Sequence, residues 1–196
     1  MAYACQVLIL ASSSPRRREL LDMLGVDYRP APVELDETIL LDEEPDQAVL
    51  RLAIAKAEAA TRHHPGLWVI GADTVVAIDG RILGKPADQA DAVRMLGDLS
   101  GRAHAVYTGI ALRRSDHRGY SVGTTAEVRF RDLSAAEIEA YVATGEPMGK
   151  AGAYAVQGMG GTLVDRIEGE LSTIVGLTLS ATARLLTQAG VSHALA

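Results

Sequence analysis

Ser12, Ser13, Ser14, Pro15, Arg16, Arg17 and Arg18 lie between an apolar run at residues 7–11 and a helical pattern whose apolar side carries Leu20, Leu21 and Leu24. Ser14 is placed to cap that helix. Pro15 suits its first position, where a missing N–H costs nothing. A strand, a hydroxyl-rich turn and a helix start aim unpaired N–H groups and the positive end of the helix dipole at one spot, which makes an anion site. The dipole disfavours cations in the first helical turn. Arg16 and Arg17, beside the serines, therefore point to phosphate, whereas Arg18 reads as a solvated basic residue.

Asp73 stands inside an otherwise apolar stretch at residues 67–78, a costly place for a carboxylate unless it is paired or holds a metal. Asp79-Gly80 is a two-residue hairpin signal. It would pair Ile78 with Arg81 and carry Lys85 opposite Thr74, one residue from Asp73, unless a bulge shifts the register. Such a pair is either structural or catalytic. Lys56 falls on the apolar stripe of Val49, Leu52, Ala53 and Ala60, where it must snorkel or meet a negative partner. For a single inward lysine, snorkelling is the commoner outcome. Glu37 lies in an acidic stretch at 34–38, and a second one at 42–44 reads as a solvated loop.

Six glycines fall between positions 145 and 161, around Lys150, Tyr154 and Gln157. That density permits tight turns and close approach of backbone to a ligand. It is not a phosphate-binding P-loop, because Gly145 to Lys150 is one residue short and Ala151 replaces the required hydroxyl. Nor does Gly158-Met159-Gly160-Gly161 have dinucleotide-fingerprint spacing. Ser12–Ser14 lack the frame of a hydrolase elbow, and the five histidines show no metal-ligand spacing. Several cations around one or two carboxylates fit a phosphate chain with a divalent metal. With no protein nucleophile evident, water attack on a phosphoanhydride is the simplest chemistry.

The elements that must position these groups follow from periodicity. Strands are expected at 7–11, 26–33 (interrupted by prolines), 67–70, 75–78, 105–112, 121–130 and 162–167. Helices are expected from Pro15, at 46–62, at 87–99, from a Ser134/Glu137 capping box to about Ala143, and at 180–188, with a mobile tail at 192–196. The 196 residues allow one large domain or two small lobes. Hydrophobic content is 48% but aromatic content only 4%, so the core is aliphatic. A net charge of −6 without long basic runs argues against a nucleic-acid coat protein. Cys5 is the sole cysteine, cannot form an internal disulfide, and reads as a core residue. No signal-peptide pattern and no membrane-length apolar run is present, so a soluble cytoplasmic protein is expected.

Ala11-Ser-Ser-Ser-Pro-Arg-Arg17, Asp36-Glu37-Thr38, Arg51-Leu-Ala-x-x-Lys56-Ala57, Gly71-Ala-Asp-Thr74, Gly84-Lys-Pro86, Leu99-Ser-Gly101, Lys150-Ala-Gly-Ala-Tyr154, Gln157-Gly158 and Val175-Gly-Leu177 closely resemble the Maf family, in order and over nearly the whole chain. The resemblance implies an α/β, ITPase-like fold: one domain over 1–196, with two lobes about an elongated mixed sheet and a central cleft. It implies a nucleoside triphosphate pyrophosphatase, commonly a homodimer, requiring Mg²⁺ or Mn²⁺. By position, Asp73 would accept the proton of the attacking water. Ser12, Ser14, Arg17, Lys56 and Lys85 would hold the triphosphate, with Lys150 among the substrate-binding residues. Glu37 would join Asp73 in binding metal or ordering water. Arg16, Thr74 and Gln157 match the positions that set base preference and look like the dTTP/UTP branch. The 7-methyl-GTP branch carries Gly-Ser-Asp-Gln instead of Gly-Ala-Asp-Thr. Gly149, where the dTTP/UTP branch usually has an acidic residue, and Glu170-Leu171 depart from the pattern. Alternatives are a pyrophosphatase for 7-methyl-GTP or other modified nucleotides, and a non-catalytic nucleotide-binding regulator of cell division.

Overall fold

A computed structural model of the chain describes residues 7–195; Cys5 lies outside them. The first apolar run forms β1 (Leu8–Leu10), wholly buried. Ser14 then caps α1 (Pro15–Met23), its side chain accepting the Arg17 N–H, with Pro15 in the first turn as expected. β2 (Tyr28–Pro30) is shorter than the sequence pattern because Pro30 and Pro32 supply no ladder donors. α2 (Pro45–Thr61) buries Ala48, Val49, Leu52, Ala53, Lys56, Ala57 and Ala60 on one face.

β3 (Val69–Ile78) runs unbroken through Gly71-Ala72-Asp73-Thr74, where two separate strands were expected. The glycine there serves close helix packing, described below, and not a turn. Asp79 (φ 51°) and Gly80 (φ 74°) make the tight hairpin, both with the positive φ of a type I′ turn. The register to β4 (Arg81–Leu83) is the one the turn dictates: Ile78 opposite Arg81, Ala77 opposite Ile82, Val76 opposite Leu83. β4 stops there, short of Lys85, and the Gly84 carbonyl accepts the Gly152 N–H at 3.1 Å.

α3 (Gln89–Leu99), β5 (Ala103–Arg113), β6 (Gly119–Phe130) and α4 (Ala135–Ala143) follow. α4 opens with the expected capping box of Ser134 and Glu137. The glycine-rich stretch holds short 3₁₀ turns at Ala151–Ala153 and Met159–Leu163, then β7 (Val164–Glu168). α5 (Leu171–Val175) was not foreseen, and α6 (Leu179–Ala189) was. The seven strands form a mixed sheet in the order β2-β1-β3-β5-β6-β7, with β4 on β3. β1 runs parallel to β2 and β3, while β3/β4 and β6/β7 are antiparallel.

The described chain divides into two compact units. The first comprises the residues up to Asp73, Thr108–Thr124, and those from Gly176 onward; the second comprises Thr74–Tyr107 and Thr125–Val175. A core of the first is small and aliphatic: Ile9, Ala11, Ala53, Ala57, Ala60, Val69 and Ala111. The second gathers most of its bulk from α3, α4 and the β6 side chains Val128 and Phe130, with His104 and Tyr154 edge-on to Phe130. The C-terminal segment is tied down where mobility was expected. The Ala194 N–H donates to the Leu24 carbonyl at 2.8 Å, and His193 is buried against Thr187. Among the described residues no helix is long and apolar enough to cross a membrane.

Candidate active site

Within the first unit, α2 packs against its strands with almost no side chain between. A Cβ on Gly71 would stand 2.8 Å from the Ala57 amide nitrogen, and one on Gly109 would stand 2.8 Å from that of Leu50. Both glycines, and Ala53 and Ala57 opposite Gly71, are required by this approach. The inward Lys56 is thereby delivered to β3. Its Nζ lies 2.5 Å from Asp73 Oδ1 and 2.6 Å from Glu37 Oε1. Lys56 does not snorkel. The Lys56 and Asp73 side chains are 8% and 10% exposed, whereas Glu37 is 45% exposed. One carboxylate therefore sits in the interior and the other at the water's edge.

The Ser-Pro-Arg turn is organised by Ser12. Its buried Oγ accepts the Ser14 N–H at 3.2 Å and the Arg17 Nη1 at 3.1 Å. Ser14 Oγ accepts the Arg17 N–H at 3.4 Å, and Arg17 Nε donates to the Gly176 carbonyl at 3.0 Å. Burial pulls the Arg17 guanidinium below its ordinary pKa, as does Arg16, while Asp73 and Glu37 pull it upward. Arg16, Arg17, Glu37 and Asp73 thus share one electrostatic neighbourhood. The exposed Arg18 side chain donates to the Ser13 carbonyl at 3.0 Å, in keeping with its solvated reading.

The remaining candidates belong to the second unit. Thr74 follows Asp73 directly in β3 and is half-buried. Lys85 is exposed, beyond the end of β4. Lys150 is half-buried, its Nζ 3.4 Å from the Met148 carbonyl oxygen. Gln157 is exposed between the two 3₁₀ turns.

Residues 7–189 match the family described as Maf-like protein. The chain belongs to the Maf family. Among Maf relatives, a protein of Symbiobacterium thermophilum named dTTP/UTP pyrophosphatase is 50% identical over 185 residues, covering 94% of this chain and 95% of that one. One of the same name from an Anaeromyxobacter species is 51% identical over 187 residues, covering 93% and 89%. A solved Mycobacterium abscessus structure, titled nucleoside-triphosphatase / dITP/XTP pyrophosphatase, covers 95% of this chain and 98% of its own at 18% identity and a TM-score of 0.45. A likeness that distant adds nothing to the family assignment.

Two carboxylates of this Maf chain were not singled out from sequence. Glu43, read as part of a solvated loop, takes Arg51 in a bidentate grip, with both contacts at 2.6 Å. The Arg51 hydrogen bonds hold its carboxyl below the usual range, against the effect of burial. Arg51 also donates to the Thr38 carbonyl at 3.1 Å, so the grip fixes the loop that carries Glu37. The signal was an arginine eight residues after an acidic loop, on a helix face whose neighbour only the fold reveals. Glu146, after α4, collects the Tyr141 hydroxyl and the Met159 and Gly160 amides. A glutamate between Gly145 and Pro147 carries no local mark of that role.

Proposed function

We propose that this Maf-family chain hydrolyses dTTP and UTP to the nucleoside monophosphate and pyrophosphate by water attack at the α-phosphate. The observation that carries the reading is the cluster of the first unit: a buried carboxylate, Asp73, held by Lys56 and sharing a field with Arg16, Arg17 and Glu37. The names of relatives about half identical to it supply the substrate class.

In this reading Asp73 takes the proton from the attacking water. That role needs an unprotonated carboxylate oriented by its neighbours, and Lys56 orients it. Arg17, oriented by Ser12 and Gly176, is the guanidinium assigned to the phosphate oxygens. Ser12, Ser14 and Lys56 join it in holding the triphosphate, and the assignment of Lys85 and Lys150 to that role rests on the family resemblance alone. A pyrophosphate leaving group bears more negative charge at its departing oxygen, so cations near it stabilise the transition state more than the ground state.

The donor set fits a hard divalent cation. Glu37 and Asp73 already converge on one positive charge. Carboxylate oxygens suit Mg²⁺ or Mn²⁺, which one or two such groups can hold together with substrate oxygens and water. When bound, such an ion would offset triphosphate charge and polarise the attacked phosphoryl group.

Arg16, Thr74 and Gln157 are assigned to the base. Thymine and uracil present an O4 acceptor and an N3–H donor, and the Gln157 amide carries the matching donor and acceptor. Cytosine reverses position 4. A panel of dTTP, UTP, CTP and purine triphosphates, assayed for pyrophosphate, tests the reading. Pyrophosphate with dTMP or UMP, fastest from dTTP and UTP, is expected; orthophosphate and a diphosphate as first products exclude it.

A further inference from the structure

Gln157 is exposed, yet the backbone on both sides of it is fixed through a single carboxylate. Glu146 Oε1 accepts the Tyr141 hydroxyl at 2.8 Å and the Gly160 N–H at 2.9 Å, and Oε2 accepts the Met159 N–H at 3.1 Å. The same Tyr141 oxygen accepts the Ala155 N–H at 3.1 Å. Ala155 and Met159 lie two residues to either side of Gln157, so both arms of the arc are hung from Glu146. Internal bonds close the arc, with Gly158 N–H to the Ala155 carbonyl at 3.1 Å and Gly161 N–H to that of Gly158 at 3.0 Å. Glu146 is itself anchored, its N–H donating to Thr144 Oγ1 at 3.1 Å just past α4.

The glycines are shaped around this carboxylate. A Cβ on Gly158 would stand 2.6 Å from Glu146 Cδ, and one on Gly160 would stand 2.5 Å from the Tyr141 hydroxyl oxygen. The charge is also placed for use. Burial alone would raise the Glu146 carboxyl, but the bonds from Gly160, Tyr141 and Met159, with the field of Lys150, bring it below its ordinary value. Two successive amides and a hydroxyl aimed at one carboxylate form an anion nest occupied by the protein's own side chain.

We infer that Glu146 is a positioning residue that presents Gln157 to the nucleobase, so that base preference depends on a carboxylate that never touches substrate. The inference rests on the proposed pyrimidine pyrophosphatase reading. Amides fixed on both sides let an exposed glutamine hold one orientation, which a mobile loop would not, and a donor–acceptor match discriminates only when its geometry is held. Glu146→Gln is close to isosteric. It puts an NH₂ where an oxygen accepted an N–H and removes the charge beside Lys150.

The experiment compares wild type, Glu146→Gln and Tyr141→Phe, measuring kcat and KM for dTTP and CTP by pyrophosphate release, with melting temperature and amide hydrogen exchange across 155–161. The expected result is a KM for dTTP raised by roughly tenfold and a dTTP-over-CTP ratio reduced by a similar factor in Glu146→Gln. kcat should change less than KM, and exchange at Met159 and Gly160 should speed up. Tyr141→Phe keeps the carboxylate and should shift the same quantities less, which preserves the test if Glu146→Gln does not fold. A dTTP/CTP ratio unchanged in folded Glu146→Gln, or in Tyr141→Phe with exchange accelerated at Ala155, overturns the inference alone. A wild type that releases no pyrophosphate from either nucleotide overturns the functional reading, and this inference with it.

Discussion

Lys56 meets Asp73 at 2.5 Å with both side chains nearly out of water. The interior charges satisfy each other, and the lysine's second carboxylate, Glu37, extends the cluster toward solvent. Removing one partner of a buried pair strands the other, which costs far more than losing a surface pair. Lys56→Met is expected to lower stability by about 3–5 kcal/mol. Lys56→Met combined with Asp73→Leu is expected to recover most of that loss. Urea unfolding of the single and double variants measures it, and a single variant within about 1 kcal/mol of wild type would contradict the pairing.

Asp73→Asn keeps the shape and removes the basic site. Turnover is expected to fall by roughly 10²–10⁴-fold while the KM for dTTP stays within about tenfold, because a general base acts on the chemical step. Steady-state pyrophosphate release decides it; near-normal kcat would remove Asp73 from the role.

Gly71→Ala tests the close approach of α2. The new methyl must displace backbone at Ala53 and Ala57, which no rotamer change can relieve. A loss of about 1–3 kcal/mol is expected. Activity should also drop, because Lys56 travels with the helix. The added methyl at exposed Gly97, where nothing lies within 4 Å, is the control and should not lower activity.

His104 links stability to pH. Its Nε2 lies 3.0 Å from the Tyr154 hydroxyl, and its Nδ1 has no hydrogen-bond partner among the described residues. Burial depresses its pKa to about 4. The folded state therefore binds this proton less readily than the unfolded chain, whose histidine titrates near 6.5. The contribution is complete above about pH 6.5 and is lost as pH falls through 4, amounting to about 3 kcal/mol between neutrality and pH 4. Unfolding free energies of wild type and His104→Phe at pH 7 and pH 4 should differ in pH dependence by that amount. Identical pH dependence would show that His104 is not the source.

The parts of the molecule legible in sequence are those whose physics is local. Ser14 and Pro15 begin α1 as their chemistry requires, and Asp79-Gly80 sets the β3–β4 register without help from elsewhere. The Lys56 stripe also placed a lysine on the buried face, but periodicity could not say what it would meet. Its partners come from a strand 17 residues on and from a loop that precedes the helix. Gly71 was misleading for the same reason. A glycine in a strand can mark a break or a close neighbour, and only packing decides which. Glu43 looked solvated because its arginine is supplied by a helix that the loop must fold back upon.

The order in which the chain is made bears on the Arg17–Gly176 contact. The first unit is assembled from three separated stretches, the last beginning at Gly176, while the second needs nothing beyond Val175. During synthesis, where folding follows emergence from the ribosome, the later-encoded unit is the first to have all its residues. The arginine of the phosphate-ready turn at Ser12–Arg17 waits for the Gly176 carbonyl until 159 further residues have been made. A chain interrupted at Val175 would carry every proposed catalytic and substrate-binding side chain and still lack the backbone oxygen that aims Arg17.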